Sequence, residues 1–349
     1  MASARLNDGI PFPISFSFAG EPSSLCLELT PNIPPFTGEP LSVFFCDHFH
    51  FPLPPGHKFP LAKYRMLREE LSNDCRFHLQ PASLAGRDDI LRVHSASYVD
   101  GFLEGSLDPP VMRRIGFPWS MELVRRTLAS AGSTLLATKA ALQSGFGGTL
   151  AGGTHHAYRS EGSGFCVFND LAIAIAWARA EHGATRAAIV DLDVHQGDGT
   201  ASLFEGDPDV FTLSLHGERN FPFRKQRSTL DVPLADGTGD NQYLAALQSA
   251  LRRVWEFRPQ IVFFQSGVDG LQTDRLGRLA LTQAGLAQRD ALVIGQACKA
   301  GLPFVITLGG GYSDPIEKTV EAHAQTFRIA ASIYGTSLSL PVHHDHSCL

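Results

Sequence analysis

The sequence predicts a single α/β domain built on a mostly parallel sheet with helices on both faces, its functional residues gathered at the carboxyl ends of the strands. Three observations carry this expectation. Short apolar runs such as 187–190 and 260–265 alternate with longer helical patterns along most of the chain. The runs lack a clean apolar-polar alternation, as expected of strands buried on both faces. Clusters of Gly, His and Asp follow four of these strands, and in open α/β sheets that edge is where loops converge on a ligand crevice. With 349 residues, 44% hydrophobic and 18% charged, the chain can bury one large core.

In chain order, residues 1–40 are rich in Pro, Phe and Ser, with Pro11, Pro13, Pro22, Pro31, Pro34 and Pro35 among them, and read as an irregular arm. The arm has neither the positive start nor the apolar run of a signal peptide, and Asp8, Glu21 and Glu28 oppose a transit peptide. Residues 42–46 read as a strand. The loop 53–60, L-P-P-G-H-K-F-P, leads into a helix through about Leu71, and a long helical pattern covers 120–144. Strands are then expected at 149–152, 187–193, 210–215, 260–265 and 304–308. Helices are expected at 169–181, 242–257, 282–300 and 315–334. These elements place a catalytic domain at 41–335 and a tail at 336–349. No internal repeat stands out.

Composition narrows the function. A net charge of −6 argues against a nucleic-acid-binding surface, and Arg224, Lys225 and Arg227 make only a short basic cluster that reads as a solvated face. The six cysteines are scattered without a C-x-x-C pair, which suggests reduced thiols in a cytoplasmic protein, with the nucleus or an organelle left open. No apolar run reaches about 18 residues, so no membrane span is expected. Nothing in the sequence sets the oligomeric state.

The chemistry concentrates at I-V-D-L-D-V-H-Q-G-D-G, residues 189–199, where an apolar strand delivers Asp191, Asp193, His195 and Asp198 within a few residues. Such groups are not tolerated unpaired in a core, so a metal or a proton relay must satisfy them. Period-2 geometry places Asp191 and Asp193 on one face with His195 following, so Asp193 and His195 can converge on one cation. The other three clusters are G-G-T-H-H (152–156), Q-S-G-V-D (265–269) and G-G-G-Y (309–312). Each has a plain structural explanation. Histidine pairs are commonly surface or satisfied core residues, an Asp after a strand is often a cap, and glycine runs often make tight turns. The chain has no G-x-G-x-x-G opening a helix and no G-K-[ST], which disfavours a phosphate cradle; it has no G-x-S-x-G, which disfavours a serine nucleophile. A metal site is left.

The ordered set G-G-T-H-H-A, G-F-C-V-F-N-D, D-L-D-V-H-Q-G-D-G, Q-S-G-V-D-G and L-G-G-G-Y resembles the zinc-dependent histone deacetylase superfamily, which also holds acetylpolyamine and acetoin-utilisation deacetylases, over about 41–334. The L-P-P-G-H-K-F-P loop with His57 is similar to the class IV branch and its bacterial relatives. The resemblance implies the fold shared by arginases and deacetylases and one zinc ion held by Asp193, His195 and Asp269. It pairs His155 with Asp191 and His156 with Asp198, makes His156 the general base and then acid, and makes Tyr312 the donor to the oxyanion. Gly164, Phe165 and Leu276 would line a narrow tunnel with a second phenylalanine, Phe221 or Phe223, of which Phe221 is taken. A structural potassium ion is implied at the main-chain carbonyls of Asp191, Asp193 and His195 with Ser214 and Leu215. The implied substrates are acyl-lysine side chains of proteins or small acylated amines, including acetylpolyamines.

Two departures from that family pattern stand out. Class I enzymes grip the substrate backbone with an acidic rim residue, and the matching place, Phe117-Pro118-Trp119, holds no acid. Arg275 replaces a proline usual after the metal-binding aspartate. Two other functions compete. An arginase-like ureohydrolase with two manganese ions needs a D-x-H-x-D spacing, which Gln196, Gly197 and Asp198 break, and a D-x-D pair, which Gly270 and Leu271 break. A catalytically dead acyl-lysine-binding scaffold would not need every catalytic position filled.

Overall fold

The computed structural model describes residues 38–337. The expected arm, 1–40, and tail, 336–349, lie outside the described residues except where 38–40 and 336–337 adjoin the fold. Eight strands form one sheet: β1 (Leu41–Phe45), β2 (Phe77–Pro81), β3 (Phe146–Thr149), β4 (Ala187–Asp191), β5 (Val210–Gly217), β6 (Leu230–Leu234), β7 (Ile261–Gln265) and β8 (Phe304–Thr307). Their order is β2-β1-β3-β8-β7-β4-β5-β6, and every strand pairing is parallel. The helices are α1 (Ala62–Leu71), α2 (Arg87–Leu91), α3 (Ala96–Glu104), α4 (Pro109–Ile115), α5 (Met121–Ser144), α6 (Asp170–His182), α7 (Asp198–Leu203), α8 (Asp240–Glu256), α9 (Gln283–Lys299) and α10 (Glu317–Ser337).

β4 shows why such strands are apolar throughout. Ala188 and Val190 pack into the core shared with α8, α9 and α10, while Ala187 and Ile189 pack into the opposite core beneath α5 and α6. A strand with helices on both sides has no solvent face on which to place polar residues. The helices α5, α6 and α9 begin at side-chain caps. Ser120 accepts from the Leu123 N–H, Asn169 from Ala172 and Thr282 from Gly285, each relieving an otherwise unsatisfied donor of the first turn.

The topology decides where function falls. The four polar clusters of the sequence follow β3, β4, β7 and β8, and these are four contiguous strands, β3-β8-β7-β4, in the middle of the sheet. Segments up to about 160 residues apart in the chain therefore open onto one crevice, as expected at the carboxyl edge of a parallel sheet.

Several boundaries differ from the sequence expectation. β3 lies at Phe146–Thr149 instead of 149–152, and Gly147 and Gly148 are strand residues. A Cβ on Gly147 would fall 1.9 Å from the Ala137 carbonyl oxygen of α5, so the helix packs directly on the strand backbone there. β4 ends at Asp191, two residues before the expected end at 193. The outer strands β2 (FHLQP) and β6 (LDVPL) and the short helices α2, α3, α4 and α7 were not anticipated. β2 and β6 lie at the sheet edges and are partly exposed, so their sequences carry polar residues and proline, which obscure a strand pattern.

The close approach at Gly147 makes a stability prediction. Gly147→Ala should destabilise the fold by about 3 kcal/mol, since the obstacle is backbone and cannot rotate away. Denaturant unfolding of the variant checks this; an unchanged midpoint would mean that α5 can move off the strand at little cost.

Candidate active site

Past β4 the chain leaves the sheet, and side-chain bonds to the backbone, rather than the pleat, aim the polar residues. Asp191 Oδ1 accepts from the Asp193 N–H at 3.1 Å, and Asp193 Oδ1 accepts from the His195 N–H at 2.9 Å. From β7, Asp269 Oδ1 accepts from the Val194 N–H at 2.8 Å, tying the two loops together. From β8, the Gly310 N–H donates to Asp193 Oδ2 at 2.5 Å. A Cβ on Gly310 would fall 1.7 Å from Asp269 Oδ2, so only glycine lets this loop pass the carboxylates.

These restraints bring Asp193, His195 and Asp269 together. His195 Nδ1 lies 3.0 Å from Asp193 Oδ1 and 3.0 Å from Asp269 Oδ2, and one potential ligand atom from each residue lies within 4.8 Å of the others. Burial and the charge of Asp193 push Asp269 up to about 7. Burial also opposes charge on Asp193, but His155 and His195 outweigh it and hold that carboxyl well below the usual range. The site thus concentrates more buried negative charge than its imidazoles comfortably balance, and a divalent cation among one nitrogen and two carboxylate donors fits that imbalance.

The two adjacent histidines have different surroundings. His155 Nδ1 lies 2.7 Å from Asp191 Oδ2; burial works against its charge, but Asp191 and Asp193 prevail and push it up to about 9. His156 Nδ1 lies 2.6 Å from Asp198 Oδ1, yet burial and the neighbouring His155 hold it down to about 4. Asp198 is shared, since its second oxygen accepts from the Tyr158 hydroxyl at 2.8 Å. At neutral pH one imidazole is therefore charged and the other neutral, its Nδ1–H on Asp198 and its Nε2 free to accept a proton.

Tyr312 follows the glycine loop. Its N–H donates to Asp274 Oδ2 at 2.6 Å, and burial, with Asp269 and Asp193 nearby, raises its phenol well above the ordinary value, so it stays a proton donor. Gly164, Phe165, Phe221 and Leu276 line a mouth cavity of about 600 Å3 together with His156, His195 and Tyr312. Phe221 packs edge to face on His156 with ring centroids 4.9 Å apart, whereas Phe223 is 88% exposed at the rim. Phe165 holds a positive φ of 66°, a strained conformation for a non-glycine residue that presents its ring to the cavity. A Cβ on Gly164 would come within 2.7 Å of His156, so the wall closes tightly on the imidazole. All twelve residues singled out from the sequence thus meet around one crevice.

Other contributors were not read from the sequence. Lys63, on the buried side of α1, donates to the Gly309 carbonyl at 3.0 Å and lines a second, inner cavity of about 100 Å3 that shares His156, Phe165, His195 and Tyr312 with the mouth. Burial pulls it down to about 8 despite Asp269 and Asp193. Arg289 is fully buried beside Asp290 and donates to the carbonyls of Gly267 and Leu192, one behind each metal-binding loop. Asp274 accepts from the backbone N–H groups of Leu276, Gly277 and Tyr312, joining the tunnel wall to the tyrosine. His94 bridges the histidine loop and α6: its Nδ1 donates to the Tyr158 carbonyl and its Nε2 accepts from the Asn169 N–H, each at 2.9 Å. Only Tyr158 had a usable sequence signal, its place two residues after His156. In the basic cluster, Lys225 is engaged with the carbonyls of Asn220 and Pro222 and shapes its own loop.

Fold and site together define an α/β protein with a candidate metal centre at the carboxyl edge of a parallel sheet. The histone deacetylase domain model matches residues 57–327. The chain is 44% identical over 289 residues to an uncharacterized protein of Picosynechococcus sp., covering 81% of this chain and 96% of that one. It is 32% identical over 287 residues to the histone deacetylase-like amidohydrolase of Pseudomonas aeruginosa, covering 75% and 74%. Among solved structures, the HD domain of HDA15 superposes with a TM-score of 0.70 at 22% identity, covering 85% of this chain and 94% of that one. The acetylpolyamine aminohydrolase from Burkholderia pseudomallei gives 0.69 at 21% identity, covering 84% and 99%. The chain belongs to the histone deacetylase family, hydrolases that act on amide bonds.

The His94 geometry predicts a pH dependence of stability. Because Nε2 accepts from an N–H, protonation would set two donors against each other, and burial holds this imidazole down to about 4 against an ordinary 6.5. The unfolded chain therefore binds the proton first. The contribution of His94 is complete above about pH 6.5 and is lost as pH falls toward 4, by up to about 3 kcal/mol. His94→Gln should flatten the stability profile between pH 7 and 5. An unchanged slope in denaturant titrations would assign the loss to other groups.

Proposed function

We propose that the protein is a zinc-dependent amidohydrolase that removes an acetyl or other acyl group from a lysine side chain of a protein or from a small acylated amine. The observation that carries this is the meeting of one nitrogen and two carboxylate donors beside a neutral, carboxylate-held imidazole and a protonated phenol. Asp193, His195 and Asp269 would hold the ion, which when bound supplies a Lewis acid that polarises an amide carbonyl and acidifies water.

The chain's own residues supply the rest. His156, neutral with Nδ1–H fixed on Asp198, accepts a proton at Nε2 from the attacking water and returns it to the leaving amine. His155, held by Asp191 through Nδ1, packs beside His156, and burial keeps His156 neutral at rest. Tyr312 donates its hydroxyl hydrogen to the carbonyl oxygen as negative charge grows there. Phe165 and Phe221 exclude water from the sides and favour an alkyl chain. Among the described residues, Asp193, His195 and Asp269 form the one group of this kind, which supports a single ion over the paired ions of a ureohydrolase.

Two outcomes test this. Metal analysis of purified protein should find one tightly held divalent ion per chain, and Asp269→Asn should weaken its retention strongly. Two tight ions, or undiminished affinity in the variant, would overturn the assignment. Tyr312→Phe should lower kcat about 100- to 1,000-fold, roughly 2.7 to 4 kcal/mol, with little change in KM, because the stronger bond forms only as charge develops. A variant with near-normal kcat would remove Tyr312 from the chemistry.

A further inference from the structure

The rim of the mouth cavity has a charge pattern that goes beyond the catalytic set. Arg114, Arg219 and Arg278 line it together with His156 and Tyr312, and among the described residues no carboxylate does. Arg114 is neutralised by Glu161 at 2.7 Å. Arg219 and Arg278, however, share a single partner: Asp236 Oδ2 lies 3.2 Å from Arg278 and 3.9 Å from Arg219, too far in the latter case for a hydrogen bond. Their side chains are 75% and 53% exposed, so their donors reach solvent at the entrance. Arg275 adds a third exposed guanidinium whose Nε donates to the Tyr312 carbonyl at 3.2 Å, with no carboxylate within salt-bridge distance among the described residues. The nearby Asp274 offers little compensation, since three backbone N–H groups occupy it. An entrance with surplus guanidinium groups repels a polycation and attracts a carboxylate, which it can grip with two parallel hydrogen bonds.

Resting on the amidohydrolase reading above, we propose that Arg219 and Arg278 are specificity residues and that the preferred substrate carries a carboxylate at the end of its amine carrier remote from the scissile amide. An acylated lysine side chain threaded between Phe165 and Phe221 leaves the substituents of its α-carbon at this rim. The carboxylate comes from one of two sources, the α-carboxylate of a free acylated amino acid or an acidic side chain flanking an acyl-lysine in a peptide. In either case the acyl-amine is anionic at its carrier end, opposite in charge to a polyamine or a lysine-rich tail.

The test uses the metal-loaded full chain and two pairs of probes. The first is Nα-acetyl-Nε-acetyl-lysine against its α-carboxamide; the second is an acetyl-lysine peptide flanked by glutamates against one flanked by lysines. At low salt the carboxylate member of at least one pair should win by about 10-fold in kcat/KM, mostly through KM, and the winning pair identifies the source. The advantage should shrink in about 0.5 M salt and disappear in an Arg219→Gln, Arg278→Gln double variant, while Arg278→Lys keeps part of it. Equal rates within both pairs, or failure of the carboxylate member to win in either pair, would overturn the proposal. Calorimetric binding of the product Nα-acetyl-lysine and its carboxamide separates the two readings. Tighter binding of the carboxylate without turnover of any amide would sink the amidohydrolase assignment and sustain the rim, and equal binding with equal rates would sink the rim alone.

Discussion

The site depends on buried carboxylates crowded where a core can least accept them. Asp191, Asp193 and Asp269 are each at most 2% exposed, and Asp198 lies close by. Isolated charges at such depth cost several kcal/mol each, so the surrounding structure is organised to satisfy or cancel them. Backbone N–H groups of Asp193, Val194, His195 and Gly310 donate to them, two imidazoles share their charge, and a divalent ion would balance what is left. Loop paths, glycine positions and the protonation of both histidines follow from this one constraint.

The constraint also explains the buried cation behind the site. Arg289 is fully enclosed, and its guanidinium donates to Leu192 and Gly267, the carbonyls that precede Asp193 and lie two residues before Asp269. Its own charge is matched by Asp290, which in turn accepts from the Thr326 hydroxyl of α10. A chain of polar contacts therefore runs from the last helix to both loops that carry the metal donors. Such a network is costly when half satisfied and rigid when complete, which suits a site that must hold its donors in place.

Legibility in the sequence followed burial on both faces. β4, β5, β7 and β8 were readable because two packed faces leave an apolar run, and the Gly, His and Asp clusters after β4, β7 and β8 stood out against it. β2 and β6 were not, since an edge strand with exposed positions tolerates His, Gln, Asp and Pro. Gly147 and Gly148 obscured β3 because the demands they answer, contact with α5 at Gly147 and with Phe327 of α10 at Gly148, come from residues distant in the chain. The site residues were found as types and spacings, but the pleat argument for Asp193 was superseded: β4 stops at Asp191, and backbone bonds in the loop aim the donors. Lys63 and Arg289 could not be distinguished from surface cations, because nothing in a single sequence says that a Lys or Arg on a helix faces inward.

His155 and His156 show how little of a residue's chemistry resides in its type. Both are buried, and each has Nδ1 within 2.7 Å of a carboxylate oxygen. They separate because Asp191 and Asp193 both favour charge on His155, whereas burial and the neighbouring His155 oppose it on His156. The first proton then settles on His155, and its charge makes a second proton on His156 harder to hold. Neutrality at His156 is thus a consequence of burial and of occupancy next door, and adjacency in the sequence is what makes the coupling strong. A single buried histidine on one carboxylate would have no such asymmetry. The pair yields a charge and a free base from the same side chain, the division of roles that the proposed amide hydrolysis would use.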